Sequence, residues 1–311
     1  MDLWFKTYFE DKPNSNIRLN SFVIDFDSAK VELEDTIFDA PLAQSIAAVH
    51  SITNKYDGPY ILLASGGIDS QAMIWAWEKS GVPYQIYHYD YDGWNYHDSE
   101  HLIKFLRHHS LEHKLTVKTF DAMSFIAGPE LIEYAKEFDC SSPQILTYIK
   151  FAQQTPGTII QAGNYISKSV AGLSYTLMAL QRYADTRPNY IPFFFQSFPN
   201  LAYAFIATDL KHNKLSVKSL DIGYDAKNKT YLQTGFPVLR QLEKYTGFEK
   251  IKIFFDSESV NPADKIKWQN QPSKRPFDIL FRYKLYDHIG LYSDKTTIKH
   301  HSMVNNLLLG E

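Results

Sequence analysis

The chain has 311 residues, 44% hydrophobic and 22% charged, with a net charge of -3. That length suits one large domain or two small ones with a substantial core, and the composition is that of an ordinary globular protein. The charge balance excludes a whole-chain basic field for nucleic acid or anionic lipid, and the single cysteine, Cys140, excludes an intrachain disulfide and a multi-cysteine zinc site.

The N-terminus, Met1-Asp2-Leu3-Trp4-Phe5-Lys6, lacks the basic and apolar regions of a signal peptide. No apolar stretch approaches a membrane span. The expectation is a cytoplasmic protein with no membrane association. Residues 1 to about 35 read as short strands, with β-type residues over Ser21–Phe26 and polar/apolar alternation over Lys30–Leu33. Asp39 and Pro41 start a helix whose apolar stripe is Ile46, Val49 and Ile52. Tyr56-Asp57-Gly58-Pro59 is a turn.

From Tyr60 strands and helices alternate. The expected strands are Tyr60–Ala64, Tyr84–Asp90, Lys114–Phe120 and Thr158–Ala162. The first helix runs from about Ile68 to Ser80 and stops at Gly81-Val82-Pro83. The second opens at Asn95 and Asp98. A third covers Asp121 to Phe138 with an interruption at Gly128-Pro129, and a fourth begins at Ser142-Pro143. This rhythm predicts right-handed crossovers and a doubly wound, parallel α/β sheet. Ligands in such sheets sit beyond the carboxyl ends of the strands. Past Pro188 the pattern is less regular. Leu215–Leu220 and Thr230–Gln233 flank Tyr224–Lys229 as in a hairpin, and a helix is expected near Phe277–His288. The reading divides the chain into 1–57 (N-terminal strands and helix), 58–187 (the α/β domain) and 188–311 (an appended α+β region for substrate or oligomerisation).

The segment with the clearest chemistry is Ser65-Gly66-Gly67-Ile68-Asp69-Ser70, where a buried strand turns into a helix. Gly66 and Gly67 permit close approach of an anion. The amides at the helix start, its dipole, and the hydroxyls of Ser65 and Ser70 all favour negative charge. Asp69 does not suit a bare phosphate, and a bridging divalent cation would explain it. The Gly-Lys-[Ser/Thr] of a Walker A loop and a Gly-x-Gly-x-x-Gly run are both missing.

This hexapeptide resembles the Ser-Gly-Gly-x-Asp-Ser pyrophosphate loop of the N-type ATP pyrophosphatases, the PP-loop superfamily that includes the synthetase domain of asparagine synthetase. The resemblance covers roughly residues 58 to 185. It implies a Rossmann-like domain that binds ATP and Mg2+ and cleaves between the α- and β-phosphates. A substrate oxygen is adenylated, pyrophosphate leaves, and ammonia or another nucleophile displaces AMP. In that scheme the amides over Ser65–Ser70 (Ser65, Gly66, Gly67, Ile68, Ser70) hold the β- and γ-phosphates, and Asp69 helps to hold magnesium and serves the chemistry.

His88-Tyr89-Asp90-Tyr91-Asp92 should lie beside the base or ribose. His88 joins the nucleotide site, Asp90 or Asp92 could accept from ribose hydroxyls, and Tyr89 or Tyr91 could stack on adenine. Gly163 and Asn164 follow the fourth strand, where the resembled family often carries an acid, and Lys168 could offset phosphate charge. His97 and His101 are spaced i, i+4, and a polar helix face is the better reading than a metal pair. Cys140 reads better as a small buried residue than as a nucleophile.

Asp2 stands where one glutaminase type carries its N-terminal cysteine, so ammonia would come free or from a separate donor. A single cysteine argues against the thiolating, nitrile-forming and sulfonucleotide-reducing relatives. The acceptor stays open, small molecule or macromolecule, and a homo-oligomer is compatible with the chain. Two alternatives stand beside the synthetase. One is a nucleotide-binding or structural protein that kept the fold without turnover. The other, weaker, is a nucleic-acid base modifier, for which Lys211–Lys218 and Lys265–Arg275 are the basic candidates.

Overall fold

Side-chain alternation along the central strands divides the interior into two cores. In β3 (Tyr60–Leu63) and β6 (Thr158–Gln161), which pair in parallel with Leu62 opposite Ile160, residues point alternately to opposite faces. Ile61, Leu63 and Ile159 enter one core; Leu62, Ala64 and Ile160 enter the other. Strands buried on both faces carry continuous apolar runs, as here. The computed structural model describes residues 5–6, 23–24 and 41–240, apart from 94, 139, 141–142, 164–174, 196, 199, 202–203, 206–207 and 209–223.

β4 (Gln85–Asp90), β5 (Leu115–Thr119) and β7 (Tyr190–Ile191) complete the sheet in the order β5-β4-β3-β6-β7. Every pairing is parallel. A separate pair, β1 (Phe5–Lys6) with β2 (Val23–Ile24), is antiparallel. On one face lie α1 (Pro41–Lys55), α2 (Ile68–Ser80) and α3 (Tyr96–His108), which bury Val49 and Ile52, Ile74 and Trp77, and Phe105 and Leu106. On the other lie α4 (Ala122–Ala127), α5 (Pro129–Glu137), α6 (Pro143–Gln154) and α7 (Tyr175–Thr186). The fold is therefore the expected α/β, doubly wound, Rossmann-like arrangement. The winding reverses between β3 and β6, the switch point at which such sheets open a crevice.

Gly128-Pro129 divides α4 from α5 as expected, with Gly128 extended and Pro129 at the first helical position. Past residue 187, β7 extends the sheet from β6, and Phe194 and Phe195 are fully buried in the core that holds Leu62 and Ile160. The hairpin expected around Tyr224–Lys229 is instead α8 (Tyr224–Gln233). Asp225 and Asn228 resemble turn residues, but a helix lets Tyr231 pack among Phe195, Phe205 and Phe236. Tertiary burial overrides local propensity here. The cap at Ser142, the strand at Leu215–Leu220, the helix near Phe277–His288 and most of the appended region lie outside the described residues. Among the described residues no helix is long and apolar enough to cross a membrane.

Candidate functional site

At the switch point the end of β3 feeds the turn Ser65–Gly67 and then α2. Gly66 has φ +86°, the left-handed region. A Cβ there would stand 2.3 Å from the backbone carbonyl oxygen of Asp98, so α3 packs directly on the loop and only glycine fits. Gly67 differs. It is extended (φ -62°, ψ 158°), and its nearest neighbour to an added Cβ is Ser65 Oγ at 3.6 Å. Gln71 N donates to the Gly67 carbonyl at 3.1 Å, closing the first helical turn. The amides before it have no intrahelical acceptor and are the helix's natural anion donors.

The hydroxyls are arranged with the amides. Ser70 Oγ accepts from Ser65 N at 3.2 Å and lies 3.2 Å from Ser65 Oγ. Gln71, fully buried, braces the loop from behind. Its Nε2 donates to the Gly66 carbonyl at 2.8 Å, and its Oε1 accepts from Leu239 N at 2.7 Å.

A cavity of about 220 Å³ opens beside this loop. Ser65, Asp69 and Ser70 line it from the β3 side, His88, Tyr89 and Tyr91 from β4 and its exit, and Gln161 and Gly163 from β6. The switch point thus brings Ser65, Asp69, Ser70, His88 and Gly163 to one cavity. Asp90 is outside that lining; its Oδ1 accepts from Gly93 N at 2.6 Å and ties the turn after β4. Ile68 points its side chain into the core, so only its backbone can serve the loop. Asn164 and Lys168 lie outside the described residues.

His88 is buried with both ring nitrogens engaged. Nδ1 lies 2.8 Å from the Ala64 carbonyl and Nε2 lies 2.7 Å from Ser99 Oγ. A carbonyl can only accept, so Nδ1 carries the proton and Nε2 accepts from Ser99. Burial pushes its pKa down, against the opposing pull of the Ala64 carbonyl and Asp90, and keeps it neutral. His88 is thus a brace between β3 and α3 that also walls the cavity. Asn95, which precedes α3 as expected, also braces the turn by donating to the Tyr89 carbonyl at 2.8 Å and accepting from Tyr91 N at 2.7 Å.

Both tyrosines line the cavity with their rings packed into the core. Tyr89 stacks on Phe151 at 3.9 Å and 4°, with its hydroxyl on Thr155 Oγ1 at 2.8 Å. Tyr91 is buried against Phe120 and Phe151, and burial raises its pKa well above the usual phenol value. Cys140 is fully buried in the core that holds Ile61 and Ile159, as expected of a small apolar side chain.

Asp69 is held from a distance in sequence. Lys227 Nζ reaches Asp69 Oδ2 at 2.5 Å, and Tyr231 OH donates to Asp69 Oδ1 at 2.5 Å. Both belong to one face of α8, four residues apart. The chain after α8 is pinned across α2 and α3. Trp75 Nε1 donates to the Gly235 carbonyl at 3.1 Å, and His101 Nε2 lies 3.0 Å from the Leu239 carbonyl. These partners were missed because the helix itself was read as a hairpin. Its available signal was the i, i+4 pair Lys227 and Tyr231.

Both oxygens of Asp69 are therefore engaged, one of them by an ammonium. Among the described residues no three His, Cys, Asp or Glu side chains stand together as a metal site. The arrangement does not fit a resident magnesium on Asp69.

No protein-family model matches the sequence, and no curated protein matches it. Among solved structures, NMN synthetase from Francisella tularensis is similar at 14% identity with a TM-score of 0.31, over 65% of this chain and 96% of that one. At that identity and score the likeness carries no weight for the function.

Proposed function

We propose that the chain is an ATP-using PP-loop enzyme of the synthetase type. It holds the β- and γ-phosphates of ATP at Ser65–Ser70, cleaves between the α- and β-phosphates, and adenylates an acceptor oxygen for attack by ammonia or another nucleophile. The observation that supports this most is the placement of the whole hexapeptide at the sheet's switch point. There Ser65, Asp69 and Ser70 line one cavity, the two serine hydroxyls lie 3.2 Å apart, and the first turn of α2 begins beside them. The volume of about 220 Å³ is below the roughly 300–1,000 Å³ of sites that enclose drug-sized ligands. It suits a phosphate tail, with the nucleoside outside the cavity.

In this reading the loop does two things. Donors fixed by the fold stabilise charge as it accumulates on departing pyrophosphate, with no reorganisation during the step. The rigid turn also sets the tail so that the α-phosphorus faces the acceptor. The acceptor oxygen bonds to the α-phosphorus, the α,β-bridging oxygen leaves with pyrophosphate, and the second nucleophile then releases AMP.

The test is direct. Calorimetry should show ATP binding to the wild-type chain, and Ser70→Asp should abolish it by placing a carboxylate in the cavity wall. With an acceptor panel and ammonia, products should be AMP and pyrophosphate. Release of ADP and orthophosphate, or no ATP binding, would overturn the reading.

A second reading, nucleotide binding without turnover, is favoured by one observation. His88 and Asp69, two titratable side chains in the cavity wall, are both committed to structural partners. It predicts ATP binding with no α,β-cleavage for any acceptor.

A further inference from the structure

We propose that Lys227 is the built-in cation of the phosphate site, and that Asp69 with Tyr231 positions this lysine rather than holding a divalent metal. The inference rests on the reading of Ser65–Ser70 as a phosphate site and deepens it.

A carboxylate at the first turn of α2, facing an anion cavity, is unfavourable by itself. Two like charges a few ångströms apart repel strongly at the effective dielectric of a protein surface. The structure answers with a partner. Lys227 Nζ sits 2.5 Å from Asp69 Oδ2, and the lysine side chain is only 12% exposed, the aspartate 27%. The pair is neutral as a unit, so the cavity wall no longer opposes an anion. An ammonium also carries three donors and can hold a carboxylate and a phosphate oxygen together.

The lysine is held rigidly. Tyr231, one turn further along α8, donates to the other oxygen of Asp69. Its ring is fully buried and packs against Phe195, Phe205 and Phe236. The segment beyond is tied to Gln71, Trp75 and His101. Three contacts from α2 and α3 thus fix where α8 presents its charge. Such fixed charge costs no reorganisation when a phosphate arrives.

A magnesium ion on Asp69 is the competing arrangement, and it conflicts with this geometry. Magnesium requires near-octahedral oxygen ligands at about 2.0–2.1 Å. It would share Oδ2 with an ammonium already in hydrogen-bond contact. An ion carried in on the nucleotide is ligated by the phosphates and travels as part of the substrate.

The experiment is calorimetric titration of the full chain with inorganic pyrophosphate, in EDTA and in excess magnesium. The wild type should bind in EDTA. Lys227→Met should weaken binding about 10- to 100-fold, the scale of one charge-assisted hydrogen bond. Lys227→Arg should restore most of it. Asp69→Asn should bind alike in EDTA and in magnesium, because the amide oxygen still receives the lysine and no metal depends on the carboxylate. Wild-type binding that requires magnesium, and is lost in Asp69→Asn but kept in Lys227→Met, would overturn the inference and leave the phosphate reading standing. No wild-type binding in either buffer would overturn both. Thermal melts accompany each variant. Should Lys227→Met fail to fold, the Asp69→Asn arm decides alone through its magnesium dependence.

Discussion

The loop at Ser65–Ser70 and the helix-and-strap at residues 224–239 meet on the same residues, Asp69 and Gln71, yet they are built by opposite rules. The loop is local. A strand ends, glycine takes a left-handed turn, and the helix presents its amides, all within six residues. The strap is non-local. Its contacts to Asp69 and Gln71 span about 160 positions of the chain. The loop supplies donors, and the strap supplies charge. In the proposed reading, a short motif therefore defines the shape of the anion site, while its net electrostatics are set by a segment that the motif does not predict.

The sharpest way to break this division is through the two adjacent glycines. Gly66→Ala forces a Cβ to within 2.3 Å of the Asp98 carbonyl at a positive φ. Left-handed strain costs about 1–2 kcal/mol and overpacking a further 1–3 kcal/mol. A loss of roughly 3 kcal/mol or more in urea denaturation is expected. Gly67→Ala meets only Ser65 Oγ at 3.6 Å with ordinary backbone angles, so stability should change by less than about 1 kcal/mol. Any effect there should fall on pyrophosphate affinity. Equal destabilisation by the two changes would contradict the asymmetry.

Gln71 tests the join between the regions. It bonds the loop through the Gly66 carbonyl and the strap through Leu239 N, and it is fully buried. Gln71→Ala leaves two backbone groups without these partners, a loss of about 2–3 kcal/mol by the usual cost of unsatisfied buried groups. Hydrogen exchange should rise at Leu239 as well as in the loop. Protection retained at Leu239 would mean that the strap is held independently of Gln71.

How much of this was legible follows from the same contrast. The switch-point strands, the helix from Ile68 to Ser80 and the whole hexapeptide were readable because period, turn residues and caps all act over a few positions. His88 lines the cavity beside the loop, but its bonds to Ala64 and Ser99 could not be read locally, because these partners approach it from another strand end and a helix. Tyr89 could not be seen as a stacked core ring without Phe151, 62 positions away. Lys227 and Tyr231 were hidden by the turn-like composition of Tyr224–Lys229. Gln71 left a faint signal, as a polar residue directly before the apolar run Ala72–Trp77 of the helix.

The smallest effect concerns acid. Burial is the main cause that lowers the pKa of both His88, on the loop side, and His109, whose environment on the strap side includes the Pro237 carbonyl. A histidine with a depressed folded pKa is neutral in the native state and takes up its proton on unfolding. Its contribution is full above the unfolded value, about 6.5, and is lost as pH falls from there toward the folded pKa. Each such group can remove no more than about 1.4 kcal/mol per pH unit. Stability should therefore be flat near pH 7.5 and decline below about 6.5. His88→Asn should flatten that decline more than His109→Asn, because His88 is only 2% exposed and bonded through both nitrogens. Denaturation midpoints of the two variants at pH 7.5 and 5.5 decide it. A larger flattening in His109→Asn would place the acid-sensitive joint in the strap rather than beneath the loop.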